Sequence, residues 1–271
     1  MAMPSLTPPI AAWPARPLQD RVILVTGGAQ GIGRGIAQAV LGAGGSVFIG
    51  DLDGEAGTAC LRDWNLPQRA AFRRLDVASD RSARACVHAA LQRFGRLDGL
   101  VNNAGIADPH HAALDALAPA DWQRRLSSLH GAYFCSRHAL PGLRVSAGGG
   151  AIVNIASTRA HQSEPHSEAY AAAKGGLLAF THALALSEGP AVRVNCISPG
   201  WIATDAWRAP SRRRRPVLSR ADHAQHPAGR VGTPEDIAAL AVHLLAPALS
   251  GFITGQDFVV DGGMSRRMQY R

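Results

Sequence analysis

The sequence predicts an α/β protein, a single domain built on one doubly wound parallel sheet with helices on both faces. Three observations predict it. Short β-rich runs alternate with longer amphipathic stretches almost to the end of the 271 residues. Most of these runs are continuously apolar rather than alternating, as parallel strands covered on both faces are. The strand–helix order repeats, which implies right-handed crossovers within one sheet.

In chain order, residues 21–26 (RVILVT) read as the first strand because four aliphatic residues follow one another without a break. A helix over 31–43 leads to a strand at 46–50 (SVFIG), and a helix over 54–64 leads to a strand at 70–75. The helix 80–94 precedes a fourth strand, 97–102 (LDGLVN), and a long helix over 121–144 precedes a fifth, 151–156 (AIVNIA). The helix 169–187 is followed by VRVNCI at 192–197, and the helix 234–245 by a last strand, 256–260 (QDFVV). No second domain, repeat or linker interrupts residues 21–264. Residues 1–20 hold Pro4, Pro8, Pro9, Pro14 and Pro17, so they read as a disordered arm rather than a signal peptide or a helix. Residues 203–228, rich in Arg, Pro and His, are long for a connection and read as a substrate lid, and 265–271 read as a tail.

A hydrophobic fraction of 46% supports a sizeable core. No apolar run approaches the roughly 18 residues that span a bilayer, so no membrane partner is expected. Cys60, Cys86, Cys135 and Cys196 have neither disulfide nor zinc spacing, and reduced thiols in a cytoplasm, with no metal site, are expected. The formal net charge of +8 is spread thinly apart from Arg212 to Arg215. No recognition helix or zinc-finger spacing accompanies it, so nucleic acid is not an expected partner.

The chemistry begins at the turn after the first strand, Thr26-Gly27-Gly28-Ala29-Gln30-Gly31-Ile32-Gly33. Glycines there permit a tight turn and let main-chain N–H groups approach a pyrophosphate at a helix N-terminus, the Rossmann-like arrangement for a dinucleotide. The second strand leads to Asp51, whose carboxylate can accept from ribose hydroxyls and would repel a 2′-phosphate; Asp51 could instead cap the next helix. Neither Gln30 nor Leu52 supplies a cation for that phosphate, so NAD is expected over NADP.

The motifs, taken together, resemble the compact single-domain branch of the short-chain dehydrogenase/reductase family. They are T-G-x-x-x-G-x-G, Asp76-Val77, Asn102-Asn103-Ala104-Gly105, Ser157, Tyr170-x-x-x-Lys174, Pro199-Gly200 with Thr204, Pro234-Glu235-Asp236 and Asp261-Gly262-Gly263, in the family's order. The resemblance implies that Asp76 and Val77 touch the adenine and that Asn102, with Ala104 and Gly105 in the same turn, lies along the cofactor. It also implies that Pro199, Gly200, Ile202 and Thr204 surround the nicotinamide end, and that the chain forms homo-oligomers, as tetramers or dimers.

Tyr170 and Lys174 sit four apart at the start of a helix and so share a face, and Lys174 is the only lysine among 28 basic residues. A phenol is a sluggish base at neutral pH, and a neighbouring ammonium favours the phenolate. The resemblance adds a second task for Lys174, bonding the nicotinamide ribose, and makes Ser157 the holder of the substrate oxygen. The implied reaction exchanges a secondary alcohol and a ketone, with Tyr170 as general acid/base. The family's asparagine on the helix before the fifth strand is missing. Anchoring on Gly131 puts Ser128 in its place, and anchoring on Trp122 puts Leu129 there.

His161, Gln162, Glu164 and His166 are expected to border the substrate, with Trp201, Trp207 and the lid as other walls. The Arg212 to Arg215 run either steers an anionic substrate or is a solvated face. Two competing functions are an NADP-linked 3-oxoacyl thioester reductase and a catalytically weak cofactor-binding scaffold on the same fold.

Overall fold

The computed structural model describes residues 13–268. Seven strands form one parallel sheet: β1 (Val22–Thr26), β2 (Ser46–Asp51), β3 (Ala70–Arg74), β4 (Gly99–Asn102), β5 (Gly150–Ile155), β6 (Val192–Pro199) and β7 (Asp257–Val260). Their spatial order is β3-β2-β1-β4-β5-β6-β7, so the winding direction reverses between β1 and β4. The helices are α1 (Gly31–Gly42), α2 (Gly54–Trp64), α3 (Asp80–Phe94), α4 (Pro119–Arg125), α5 (Ser127–Arg144), α6 (Glu168–Glu188), α7 (Arg220–Ala224), α8 (Pro234–Leu245) and α9 (Pro247–Ser250).

The continuous apolar strands have the predicted cause. Along β1, Ile23 and Val25 enter one core cluster together with α1 and α8, whereas Val22 and Leu24 enter another with α3 and α5. Successive side chains of a strand point to opposite faces, so a strand covered on both sides has no solvent face left for polar residues. β5 repeats the pattern, with Val153 on the first side and Ile152 on the second.

Three expectations change. The helix predicted over 121–144 is two, broken at Leu126, where Leu129 N–H bonds the Leu126 carbonyl at 3.0 Å in a tighter turn. No Gly or Pro stands at this break, so composition carried no signal of it. The predicted arm ends sooner than residue 20. Leu18 is fully buried beside α1, and its N–H bonds the Ala43 carbonyl at 3.0 Å, because an isolated apolar side chain next to a core surface gains by burial; residues 1–12 lie outside the described residues. The stretch 203–228 is not irregular throughout. It contains two short 3₁₀ turns (Asp205–Trp207 and Pro210–Arg212) and α7, which begins with a reciprocal Ser219–Asp222 capping box. Among the described residues, no helix is long and apolar enough to cross a membrane.

Candidate active site

Where the winding reverses, the carboxyl ends of β1 and β4 leave a crevice, the usual ligand position in an open α/β sheet. Thr26 ties the two strand ends together. Its Oγ1 donates to the Val101 carbonyl at 3.2 Å and accepts from the N–H groups of Asn103 (3.0 Å) and Ala104 (3.1 Å). The glycine turn then runs into α1 with Gly27 at φ +61° and Gly31 at φ +54°, conformations that disfavour side chains. Gly33 serves differently. A Cβ there would stand 2.1 Å from the Gly27 carbonyl oxygen, so Gly33 lets α1 close on its own turn and does not line the crevice.

The crevice opens into a cleft of about 2060 Å³. Gly27, Gln30, Gly31 and Ile32 line it, together with Asp51, Leu52, Asp76 and Val77. Ala104, Gly105, Pro199, Gly200, Ile202 and Thr204 also line it, and so do Ser157, Tyr170 and Lys174. Asp51 is buried, and its carboxylate accepts from the N–H groups of Ala29 and Asp53, both at 3.0 Å. Burial pushes this carboxyl above its ordinary range, against the pull of those two N–H groups. The helix-capping alternative belongs to Asp53, whose side chain accepts from Ala56 N–H at 3.0 Å.

Tyr170 is the third residue of α6, and Lys174 lies one turn on, so the helix alone brings them together. The Lys174 ammonium is 5.6 Å from the Tyr170 ring centroid and donates to the Ile155 carbonyl at 2.9 Å. An ammonium has three donors, and Lys174 is buried yet lines the cleft, so its remaining N–H groups have the cleft to serve. Ser157 lies two residues past β5 and caps the following turn, its Oγ accepting from Arg159 N–H at 3.2 Å. That bond uses a lone pair and leaves the hydroxyl proton free to donate.

Besides Gly33, Asn102 and Ser128 also lie off the cleft. The Asn102 side chain turns away from the cleft into a buried network, donating to Asn154 Oδ1 (2.8 Å) and Ser136 Oγ (3.1 Å). Strand alternation sends the next residue, Asn103, to the cleft, where its amide also bonds the Thr26 and Gly27 carbonyls. Ser128 is buried against Gly105, where a Cβ on that glycine would come 2.8 Å from Ser128 Cβ; Ser127, not Ser128, lines the cleft. Of the loop residues, Gln162, Glu164 and Trp201 line the cleft and His161, His166 and Trp207 do not. His161 instead meets Asp257 at 2.7 Å.

The arginine run is exposed, and three of its four residues meet acidic partners. Arg212 pairs with Asp53 and approaches Gln30 Oε1 at 3.4 Å, Arg213 approaches Asp63 at 3.8 Å, and Arg214 bonds Asp205 at 3.0 Å. Ala209 N–H also bonds Gln30 Oε1 at 3.1 Å, and Ser211 bonds Glu55 through both its N–H (2.9 Å) and its hydroxyl (2.7 Å). The segment 203–228 thus reaches from Thr204, against Gly31, to the start of α2, and sets the Arg212 cation on Asp53, two residues past Asp51. Arg124, Arg159 and Arg267 line the cleft as well. Sequence spacing carried no signal for these, since each comes from a different loop or helix.

The glycine cradle, the Asp51 acceptor and the Lys174 donors fit a nicotinamide dinucleotide and define an oxidoreductase of the doubly wound class. A family profile described as enoyl-(acyl carrier protein) reductase matches residues 27–265. The chain is 45% identical to an uncharacterized oxidoreductase of Thermotoga maritima, over 93% of this chain and 99% of that protein. It is 39% identical to the L-fucose dehydrogenase of Bos taurus, over 90% of this chain and 88% of that protein. A solved apo SCOR enzyme from Clostridium thermocellum superposes with a TM-score of 0.81 at 40% identity, covering 93% of this chain and 96% of that one. The chain belongs to the short-chain dehydrogenase/reductase family.

Proposed function

We propose that the protein is an NAD(H)-dependent oxidoreductase that interconverts a secondary alcohol and a ketone, with Tyr170 as general acid/base. The observation that carries this reading is the convergence of Ser157, Tyr170 and Lys174 on one cleft, with the Lys174 ammonium 5.6 Å from the Tyr170 ring. A nicotinamide held in this cleft would supply the hydride chemistry; the chain supplies position and proton transfer. Ser157 Oγ–H holds the substrate oxygen, and Tyr170 Oη takes the hydroxyl proton in oxidation or returns it in reduction. Lys174, anchored on Ile155, favours the phenolate and donates its other N–H groups to the nicotinamide ribose. Asp51 accepts from the adenosine ribose hydroxyls, which favours NAD.

Gln162, Glu164, Arg124 and Arg159 in the cleft support a hydroxylated substrate, in keeping with the L-fucose dehydrogenase relative. A cytoplasmic homo-oligomer, the assembly that the family resemblance implies, completes the proposal. The test is a panel of sugars and secondary alcohols with NAD⁺ and with NADP⁺, read by absorbance of the reduced coenzyme. Turnover of a hydroxylated substrate with NAD⁺ is expected; a strong NADP⁺ preference sinks the coenzyme assignment.

A second reading, an NADP-linked 3-oxoacyl thioester reductase, has one observation in its favour. Arg212 stands beside Gln30 and Asp53, where a 2′-phosphate would need a cation. The same assay with NADPH and an acetoacetyl thioester separates the two readings.

A further inference from the structure

The catalytic helix is held from outside its own sequence. At its start the N-cap residue, Ser167, makes no side-chain cap bond, and its hydroxyl donates backward to the Glu164 carbonyl at 2.6 Å. The first turn of a helix has N–H groups with no partner inside the helix. One of these, on Ala169, immediately before Tyr170, donates to Nε2 of His111 at 3.4 Å. His111 belongs to the loop after β4, 58 residues away in sequence, and its side chain is 1% exposed. Its main-chain N–H bonds the His166 carbonyl at 3.0 Å, fixing the loop against the approach to α6.

Both ring nitrogens of His111 have oxygen neighbours. Nδ1 lies 2.6 Å from the Ala112 carbonyl, which only an N–H there can satisfy. In the neutral ring Nε2 is then a lone pair, free to accept from Ala169. The Glu168 carboxylate lies 3.1 Å from the same Nε2. A proton on Nε2 would turn that nitrogen into a donor to Glu168 and forbid the bond from Ala169. The two partners are mutually exclusive, and the proton decides between them.

We propose that His111 is a positioning residue for the reaction: its neutral imidazole caps the first turn of α6 and so holds Tyr170 in place, and its protonation moves that hold to the Glu168 side chain. The proposal rests on the catalytic reading of Tyr170 given above. The charged groups around this contact come from every neighbouring segment. Glu168 is on α6, and Glu164, paired with Arg159 and 3.4 Å from His110, is on the loop after β5. His166 lies on that same loop, and Arg125 of α4 donates to the carbonyls of Asp108 (2.8 Å) and His110 (2.6 Å). Arg125 bonds main-chain oxygens and Glu164 is already paired, so Glu168 is the carboxylate left to compete for Nε2.

The experiment compares the parent with His111→Ala, His111→Gln and Tyr170→Phe, as full-length protein. His111→Ala is expected to lower kcat about tenfold while coenzyme Kd, read by fluorescence, stays within about twofold. Amide exchange in the peptide spanning 167–174 should become faster in His111→Ala, with the sheet peptides unchanged. His111→Gln offers a non-titrating acceptor and should restore most of kcat. The ratio of parent to His111→Gln kcat should then fall as the pH is lowered; ionisations common to both proteins cancel in that ratio. Unchanged exchange and kcat in His111→Ala overturn the positioning role, and a pH-independent ratio overturns the protonation step. If Tyr170→Phe keeps its turnover, the catalytic reading fails instead, and the exchange measurement still judges the cap.

Discussion

The Lys174 ammonium donates to the main-chain carbonyl of Ile155, 2.9 Å away at the carboxyl end of β5. This bond joins α6 to the strand whose next turn carries Ser157, so one lysine links the two halves of the candidate site.

Lys174→Ala should therefore lose both functions of the side chain. Turnover is expected to fall by about 10²–10⁴, the usual scale for losing proton-transfer assistance, and coenzyme binding should weaken as well. Tyr170→Phe, in contrast, should abolish turnover and leave coenzyme binding nearly intact. Single-turnover kinetics with parallel coenzyme titrations separate the two patterns; equal coenzyme affinity in Lys174→Ala would remove the ribose role.

Coenzyme binding should respond to acid through Asp51. Burial holds this carboxyl above its ordinary range, so it gains a proton at a higher pH than a solvated aspartate does. The ionised form is the one that accepts two ribose hydroxyls, and NAD affinity should fall as pH drops through that point. Asp51→Asn should lose this inflection, bind NAD about tenfold or more weakly and discriminate less against NADP. Calorimetric Kd values across the acid range check the sign.

The lid should act on coenzyme retention. Arg212→Ala removes the contacts to Asp53 and Gln30. Exposed ion pairs contribute about 0.2–1 kcal/mol, so NADH release should quicken by no more than about fivefold. The loss with NADP should be larger than with NAD, since Arg212 is a cation held beside Gln30 and Asp53, near Asp51. Stopped-flow fluorescence during displacement of NADH measures the rate, and an unchanged rate would show that the lid is idle there.

Stability should carry a mark from the start of α8. Asp236 accepts from Arg230 at 2.6 and 2.7 Å and from Thr233 N–H at 2.8 Å, and the Arg230 bonds, ahead of the others, bring its carboxyl down to about 2. An unfolded aspartate titrates near 3.9, so the stabilisation is complete above about pH 4 and disappears as pH falls towards 2. Asp236→Asn should lower Tm by about 2–4 °C at neutral pH, corresponding to roughly 1 kcal/mol. That gap should close in acid; a constant gap would contradict the assignment.

The boundaries of most strands and helices were legible to within a residue or two, because a two-face-buried strand leaves its apolar run in the sequence. The Tyr170–Lys174 pair was legible for a similar reason, since a spacing of four on one helix specifies a shared face whatever the rest of the chain does. Gly27 and Gly31 were legible as turn glycines. Gly33 was recognised by its motif, but its reason, the 2.1 Å approach a Cβ would make to the Gly27 carbonyl, belongs to the folded chain.

What the sequence by itself determined is therefore the local part: the sheet's class, the glycine turn, and the residues of the candidate proton-transfer pair. The tertiary structure alone decided which asparagine of the Asn102-Asn103 pair faces the cleft, that Ser127 rather than Ser128 lines it, and that Arg212 meets Asp53 across 159 residues. It also decided that His111 caps the helix carrying Tyr170. The physical reason is one of range. Helix spacing and strand alternation are set by bonds between near neighbours, whereas these contacts form only after separate loops have packed against one sheet, and no periodicity along the chain records them.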